Sequence, residues 1–357
     1  MKYTIMEDLI HNHLLKALAA SVQEDVVPPA IKDHLHVITS SCDKAFGPLK
    51  AVIASVAAKL ASPDWDTRLH KVELGGKYSL RSLEHSHVCP LLHSKGLYAT
   101  ATESSLNVTF RANEPYNMTY SANISPRPCK LSFLSIVHEI NERYSQELCE
   151  AILGYCLHFL KDRKAREDAL KAATAIPPPL GASLKTVEGM LNRVHSSCLS
   201  HISAFPAIAF HAACEAVAPI LWPEGTHIQP LNAHTAADDK TGAKGDVEGR
   251  REDGTPFLAA EVKWQIPITP AIIETFDRTS AGVPLRYIIT TLHMNVKATD
   301  TNIVVCSATE AVIHLLQQAL LYSPGVIADY ITRLRRAVIE NKTLTVTAKE
   351  QVAALLA

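Results

Sequence analysis

The segment from residue 245 to 264, GDVEGRREDGTPFLAAEVKW, constrains the fold more than any other part of the chain. Its Asp253-Gly254 dipeptide lies between two extended runs, and Asp-Gly in that position is a strong signal for a β-hairpin turn. The predicted arms of the hairpin are residues 246–250 and 257–264. Charged residues stand at both ends of the segment, and the period of a strand predicts where they point.

The charges on the second arm share one side of the strand. Side chains alternate between the two faces of a β-strand, so Glu261 and Lys263 point the same way. The turn folds Asp246, on the first arm, back toward them. The residues on the other face of the second arm can pack against a helix, and they are Leu258, Ala260 and Val262.

Strands and helices alternate in the second half of the chain. Helices are predicted over residues 183–202, 205–221, 269–282 and 309–322, and extended segments over 226–232, 285–292 and 302–307. Ser183 and Thr269 are predicted N-caps, and Pro270 suits the first helical position. The run FPAIAFHAACEAVAPIL, at 205–221, is apolar enough for a largely buried helix. This alternation predicts an α/β core.

The first half of the chain has a different character. Residues 1–62 predict helices, and the helical period returns from Leu131. Between them the sequence is rich in Thr, Ser, Asn, Tyr and Pro, which predicts short strands and long loops. The run AIPPPLGAS, at 175–183, predicts a linker. We therefore expect a mainly helical region with a loop- and β-rich insertion at 1–180, and a second domain at 181–357.

Composition narrows the class of protein. The chain has 357 residues and a formal net charge of −1, which does not exclude nucleic acid binding, because acidic surface elsewhere can offset a basic cleft. The eight cysteines are scattered without a pairing pattern and no export signal is seen, so reduced thiols in a cytosolic protein are expected. No apolar run is long enough to predict a membrane span.

The carboxylates of the hairpin suit a magnesium site. Mg²⁺ takes few protein oxygen ligands and keeps several waters, so Asp246, Glu261 and the peptide carbonyl of Val262 are candidate ligands. Bound Mg²⁺ polarises a phosphodiester and acidifies a water, and Lys263 can orient or deprotonate that water or stabilise the transition state. Glu215, on the apolar helix, needs a partner or a metal. The alternative is that Glu-Val-Lys belongs to a solvated strand face.

The motif GD at 245–246 followed by EVK at 261–263 resembles that of the PD-(D/E)XK nuclease superfamily, with Gly245 in place of the leading Pro. The resemblance covers residues 200–310. It implies a restriction-endonuclease-like core, in which a central mixed sheet is flanked by helices.

The resemblance also implies a role for each charged residue. Asp246 and Glu261 would bind Mg²⁺, and Lys263 would be the catalytic lysine. Glu215 would be the acid of the core helix. The implied reaction is hydrolysis of a phosphodiester bond in DNA.

Two further stretches are similar to sequences in type II restriction endonucleases: DTRLHKVELGGKYSLRSLEHSHVCPLL, from Asp66, and PLNAHTAADDKTGAKGDVE, ending at Glu248. This similarity implies a cytosolic enzyme that cuts both strands of a specific short DNA sequence and works beside a protecting methyltransferase. Cutting both strands needs two active sites, which implies a homodimer. The alternatives are a structure-specific or repair nuclease with the same core, and a DNA-binding protein with an inactive nuclease core.

Basic and polar residues in these stretches are candidates for DNA contact, because Arg and Lys contact phosphates and Arg reads guanine edges. The candidates are Arg68, His70, Lys71, Lys77, Tyr78, Arg81, Asn232, His234, Thr235, Lys240 and Lys244. Ordinary basic loops are the alternative interpretation. Asp238 or Asp239 could replace Asp246 as the metal ligand, but Asp246 is preferred because its hairpin position sets it across from Glu261.

His85, His87, Cys89 and His93 lie close together in the sequence, and zinc can take such ligands. Their spacing fits no standard zinc finger, and no second paired cluster follows. Polar residues in a loop, or a few DNA contacts, are therefore the preferred interpretation of this group.

Overall fold

The computed structural model describes most of the chain. The described residues are 2–20, 24–43, 45–98, 106, 108–174, 177–197, 199–231, 244–292 and 302–357. The chain divides into two compact units, Met1–Glu167 and Asp168–Ala357. The division falls inside the helix Gln146–Thr174, rather than in the proline-rich segment at 175–183.

The first unit is built from helices. They are α1 (Lys2–Ala19), α2 (Pro29–Ser40), α3 (Phe46–Ala61), α4 (Leu80–Leu83), α5 (Cys89–Ser94), α6 (Arg127–Glu142) and α7 (Gln146–Thr174), whose last residues belong to the second unit. A π-helical turn, Glu84–Val88, joins α4 to α5, and 3₁₀ turns are formed by Glu24–Val26, Val72–Leu74 and Val108–Phe110. The central helix is α3, which is buried along its length and contacts α1, α2 and α6.

The strands predicted within residues 63–130 are wrong for the part of this segment that the structure describes, which contains short helices and turns instead. Its aromatic residues form a core rather than a strand surface. The His70 ring stacks on Tyr116 at 4.0 Å, and Tyr116 meets Tyr120 edge-on at 5.2 Å. The Tyr116 hydroxyl donates to the carbonyl of Phe110 at 2.6 Å, so side-chain hydrogen bonds hold the backbone where a strand ladder was expected.

The candidate zinc group lies around the π-helical turn. Its cysteine, Cys89, is fully buried, and its Sγ lies 3.1 Å from Glu84 Oε1 and 3.3 Å from Lys50 Nζ. Lys50 and Glu84 form a 2.9 Å ion pair with both side chains fully buried. His85 and His93 are exposed. The Cys89 thiol is therefore hydrogen-bonded to a buried ion pair, which explains its position without a metal.

The second unit combines helices with one sheet. Its helices are α8 (Leu184–His195), α9 (Phe205–Leu221), α10 (Pro270–Thr279), α11 (Ala308–Leu320), α12 (Val326–Glu340) and α13 (Val346–Leu355). Its strands are β1 (His227–Ile228), β2 (Val247–Arg250), β3 (Pro256–Lys263), β4 (Leu285–Thr290) and β5 (Ile303–Ser307). The predicted α/β architecture is confirmed here.

The sheet has the order β1-β2-β3-β4-β5 and is mixed. β1, β2 and β3 pair antiparallel, and β3, β4 and β5 pair parallel. α10 makes the crossover between β3 and β4, as parallel neighbours require. One face of the sheet packs against α9 and α11, and the other packs against α10. In the same core as α9 and α11, α8 packs on α11 and α12 packs on α9.

The two N-caps predicted in this unit are confirmed, and the structure adds a third at Ser307. Ser183 and Thr186 form a capping box at the start of α8, and the Thr269 side chain accepts the backbone N–H of Ile272 at the start of α10. Ser307 caps α11 in the same way. Each cap satisfies backbone donors that a helix leaves unpaired at its first turn.

The apolar segment predicted as a buried helix is confirmed as α9, with the same bounds. All but four of its residues are buried, and it contacts α11, α12 and the β1–β2 edge of the sheet. It is therefore a core helix. Across the part of the chain that the structure describes, no helix is both long and apolar enough to span a membrane.

His70 predicts acid sensitivity of the first unit. Burial lowers the pKa of His70 from 6.5 to about 4. In the unfolded chain this histidine is protonated below about pH 6.5, whereas in the folded chain it is protonated only below about pH 4. The free energy of unfolding therefore falls as the pH drops from 6.5 to 4. The largest slope from one such group is about 1.4 kcal/mol per pH unit.

We expect His70→Gln to flatten the pH dependence of unfolding between pH 6.5 and 4, measured by urea titration at a series of pH values. The exposed His93 supplies the matched control, since His93→Gln should leave the wild-type slope unchanged. An unchanged slope in His70→Gln would show that His70 does not contribute to the pH dependence.

Candidate active site

The predicted hairpin is confirmed as β2 and β3, joined by a short loop. Gly254 has a φ of +81°, in the left-handed region that favours glycine. The Asp253 side chain accepts the backbone N–H of Thr255 at 2.8 Å, and Gly254 N donates to the carbonyl of Arg251 at 2.9 Å. The Asp-Gly pair therefore forms the turn through its own hydrogen bonds and backbone preference.

The two faces of β3 have the predicted characters. Leu258 and Ala260 are buried in the core that contains α9, whereas Ala259 belongs to the small core under α10. Glu261 and Lys263 follow Ala259 on that second face. Both side chains keep partial solvent access, with 16% of Glu261 and 28% of Lys263 exposed. The charged pair thus lies at the carboxyl end of β3 and keeps access to solvent.

Asp246 meets the end of β3 directly. Its Oδ2 accepts the backbone N–H of Val262 at 2.8 Å. Val247 pairs with Ala260 in the antiparallel ladder, so Asp246 stands across from Glu261. This hydrogen bond holds the Asp246 carboxylate beside the peptide that separates Glu261 from Lys263.

Lys263 and Glu261 form an ion pair between Nζ and Oε1 on the same face of β3. Side chains two residues apart on a strand are neighbours on one face, which explains the contact. The pair gathers a cation and an anion next to a second carboxylate, that of Asp246. This combination distinguishes the site from an exposed strand with scattered charges.

Gly245 permits the close approach of the two strands. A Cβ at this position would lie 2.6 Å from the carbonyl oxygen of Ala260 and 3.0 Å from its carbon. No side chain fits there without moving β2 away from β3. A glycine at position 245 therefore has a steric reason in this chain.

Glu215 is the acid that was expected to support the metal site. It projects from α9, and its Oε2 is 3.9 Å from Nδ1 of His211. Glu215 lines two surface depressions. Their other lining residues belong mainly to α9, β1, α12 and the turns that follow α9 and α12. Asp246, Glu261 and Lys263 are not among the described lining residues of either depression. The expected role of Glu215 at the metal site is therefore not supported by its surroundings.

The predicted DNA contacts in the first unit differ in exposure. Lys77 and Arg81 are exposed. His70 and Tyr78 are buried, at 3% and 7%, so little of either side chain can reach a ligand and the prediction of DNA contact is corrected for both. Tyr78 stacks on Trp65 and donates to a backbone carbonyl, which explains its burial.

Arg68 and Lys71 are engaged within the unit. The Arg68 guanidinium pairs with Asp66 at 2.8 Å and with Glu142 at 2.5 Å, while Lys71 Nζ donates to the carbonyl of Arg111 at 2.9 Å. Burial acts to raise the pKa of Asp66, but the hydrogen bonds from Arg68 outweigh it and lower that pKa. DNA would have to compete with these contacts.

The remaining predictions concern the segment before β2. Lys244, two residues before Asp246, is half-buried. The other candidates lie outside the described residues, namely Asn232, His234, Thr235, Lys240 and the alternative metal ligands Asp238 and Asp239.

The donors at the hairpin fit a magnesium ion. Asp246 and Glu261 supply two carboxylates and Val262 a peptide carbonyl, and the hydrogen bond from Val262 N holds Asp246 against this peptide. Mg²⁺ accepts one or two carboxylates and completes its shell with water. Among the described residues no group of three His, Cys, Asp or Glu side chains is poised for a metal, so a closed cage of the zinc type is not formed there.

Sequence reasoning missed Glu248 on β2. It is buried, at 7% exposure, and its Oε2 accepts the backbone N–H of Lys244 at 3.2 Å. The strand period could have found it, since Glu248 stands two residues after Asp246 and shares its face.

His195 was missed as well. Its ring lies 6.5 Å from that of Trp264, the residue after Lys263, and its Nδ1 is 3.2 Å from Thr309 Oγ1. Burial lowers the pKa of His195 to about 4, so the imidazole is neutral at neutral pH. It supplies a neutral polar group, and no positive charge, near the end of β3.

Comparisons with known protein families and with curated proteins give no indication of function. No family model matches this chain, and no curated protein matches it in sequence. The function is therefore argued from the arrangement of Asp246, Glu261 and Lys263.

We expect Gly245→Ala to lower the free energy of unfolding by about 1–3 kcal/mol, the usual cost of overpacking, because the added Cβ meets the Ala260 backbone. Urea unfolding measures the change. Gly325→Ala is the control in the same unit, since a Cβ at Gly325 meets no atom within 4 Å. Equal stability of the two variants would contradict the close approach of β2 to β3.

Proposed function

We propose that this protein is a Mg²⁺-dependent, sequence-specific endonuclease that hydrolyses phosphodiester bonds of double-stranded DNA, as type II restriction enzymes do. The observation that carries the proposal is the hydrogen bond from Val262 N to Asp246 Oδ2. It joins Asp246 to the strand end that bears Glu261 and Lys263, so two carboxylates and one ammonium meet at one edge of a sheet.

The order of elements supports a PD-(D/E)XK-like core. The second unit runs from α9 to β1, then through the β2–β3 hairpin and α10 to β4. The hairpin is antiparallel, and β4 adds parallel to β3. Helices cover both faces of this mixed sheet. A mixed sheet covered by helices on both faces is compatible with such a core, and this supports the proposal.

The chemistry of the site suits hydrolysis of a phosphodiester. Asp246, Glu261 and the Val262 carbonyl would hold Mg²⁺, which when bound polarises the phosphodiester and acidifies a water. As an ammonium, Lys263 would orient the attacking water and stabilise the negative charge that develops on the phosphate oxygens. Only as a neutral amine would it receive the proton of that water. The ion pair with Glu261 keeps the Lys263 ammonium at this edge.

DNA, a second subunit and a methyltransferase complete the proposal. Lys77 and Arg81 remain candidates for phosphate contact, because both are exposed. A homodimer would supply two active sites for the two strands. The proposed function implies a cytosolic location. It also implies a protecting methyltransferase, since an enzyme that cuts specific DNA sites would otherwise cut the DNA of its own cell.

Lys263→Ala tests the catalytic assignment. We expect it to reduce Mg²⁺-dependent DNA cleavage by several orders of magnitude while DNA binding, measured by gel shift, stays close to wild type. Lys185→Ala is the control, because Lys185 is an exposed lysine on α8 in the same unit. Full cleavage by Lys263→Ala would contradict the proposed mechanism.

Digestion of a plasmid of known sequence distinguishes the proposed activity from its alternatives. Discrete fragments with one end sequence are expected in the presence of Mg²⁺. Cleavage confined to branched or damaged DNA would favour a structure-specific or repair nuclease. Tight duplex binding without cleavage in Mg²⁺ or Mn²⁺ would favour a DNA-binding protein with an inactive core.

A further inference from the structure

Glu248 is a buried carboxylate next to the candidate metal site. It is 7% exposed, in the middle of β2. Arg250 Nη2 lies 2.6 Å from Glu248 Oε1, an electrostatic contact whose angle is not that of a hydrogen bond. Glu248 Oε2 accepts the backbone N–H of Lys244 at 3.2 Å. A buried charge is costly unless it is paired, so these two contacts explain why the carboxylate is tolerated there.

The contacts of Glu248 span the strand segment that carries Asp246. One contact reaches back to Lys244 and the other reaches forward to Arg250. Glu248 pairs with Ala259 in the antiparallel ladder. Ala259 points to the face of the sheet that α10 covers, which is also the face of Glu261. The side chain therefore lies on the same face as the candidate metal ligands and fixes the backbone immediately before Asp246.

Residues 244–246 are the described residues that lead into β2. Gly245 lacks a side chain and lies against the Ala260 backbone, so it offers the chain no anchor of its own. Asp246 is tied through its own carboxylate to Val262 N. Gly245 gives the backbone before Asp246 more conformational freedom than another residue would. The hydrogen bond from Lys244 N to Glu248 limits that freedom.

We propose that Glu248 is a positioning residue: its bond to Lys244 N holds the turn at Gly245 so that the Asp246 carboxylate faces the metal beside Glu261. This inference rests on the proposed function and deepens it. Partners that orient metal ligands in this way usually contribute about 10- to 100-fold to metal affinity or activity. Glu248 itself touches neither metal nor DNA in this role.

The test compares Glu248→Ala with Glu248→Gln in the full-length chain. The readouts are the Mg²⁺ concentration that gives half-maximal DNA cleavage, and the rise in melting temperature caused by Mg²⁺ or Mn²⁺ alone, which reports binding without catalysis. Circular dichroism verifies folding of each variant. Glu252→Ala is the matched control, because Glu252 is an exposed carboxylate of the same hairpin, and Asp246→Asn marks the loss of a direct ligand.

We expect Glu248→Ala to raise the half-maximal Mg²⁺ concentration about 10- to 100-fold, with maximal cleavage recovered at high Mg²⁺. Glu248→Gln should lie close to wild type, because its amide oxygen still accepts from Lys244 N. A folded Glu248→Ala with wild-type Mg²⁺ dependence, or a Glu248→Gln as impaired as the alanine variant, overturns the role of Glu248.

Failure of the proposed function gives a different pattern. In that case the wild type itself shows neither Mg²⁺-dependent cleavage nor a metal-induced rise in melting temperature, and Asp246→Asn changes nothing. The role of Glu248 then falls with it. If the wild type and Asp246→Asn behave as expected and only Glu248→Ala matches wild type, the nuclease assignment stands and the positioning role alone is wrong.

Discussion

The burial of α9 is the constraint on which the rest of the second unit depends. A helix that is apolar on nearly every side cannot face water, so it must be enclosed by other elements. The sheet covers one side of α9, and α11 and α12 cover the others. This enclosure sets the face of β3 that bears Leu258 and Ala260 toward the core. Glu261 and Lys263, which alternate with them, are left on the opposite face.

The candidate site is held by backbone contacts as much as by its charged groups. Asp246 is tied to Val262 N, and Glu248 is tied to Lys244 N. Gly245 lets these contacts form by allowing β2 to approach the Ala260 backbone. Carboxylates that accept backbone N–H groups have fewer accessible orientations, so less ordering is needed when a metal binds.

The elements near the hairpin could be predicted because their signals are local. The Asp253-Gly254 turn and the caps at Ser183 and Thr269 act within a few residues of themselves. The strands predicted between 63 and 130 failed because the same Tyr and Thr residues serve a strand or an aromatic core equally well. Only the packing of Tyr116 against distant rings selects the second outcome.

The sequence by itself determined the hairpin, the alternation that places Glu261 and Lys263 together, and the apolar character of α9, since these follow from turn chemistry and side-chain period. The tertiary structure alone decided that the Asp246 carboxylate reaches Val262 N and that Glu248 is buried with a hydrogen bond to Lys244 N. The physical reason is that strand pairing and helix packing bring together residues far apart in the chain, and such contacts depend on register and on which surfaces are buried.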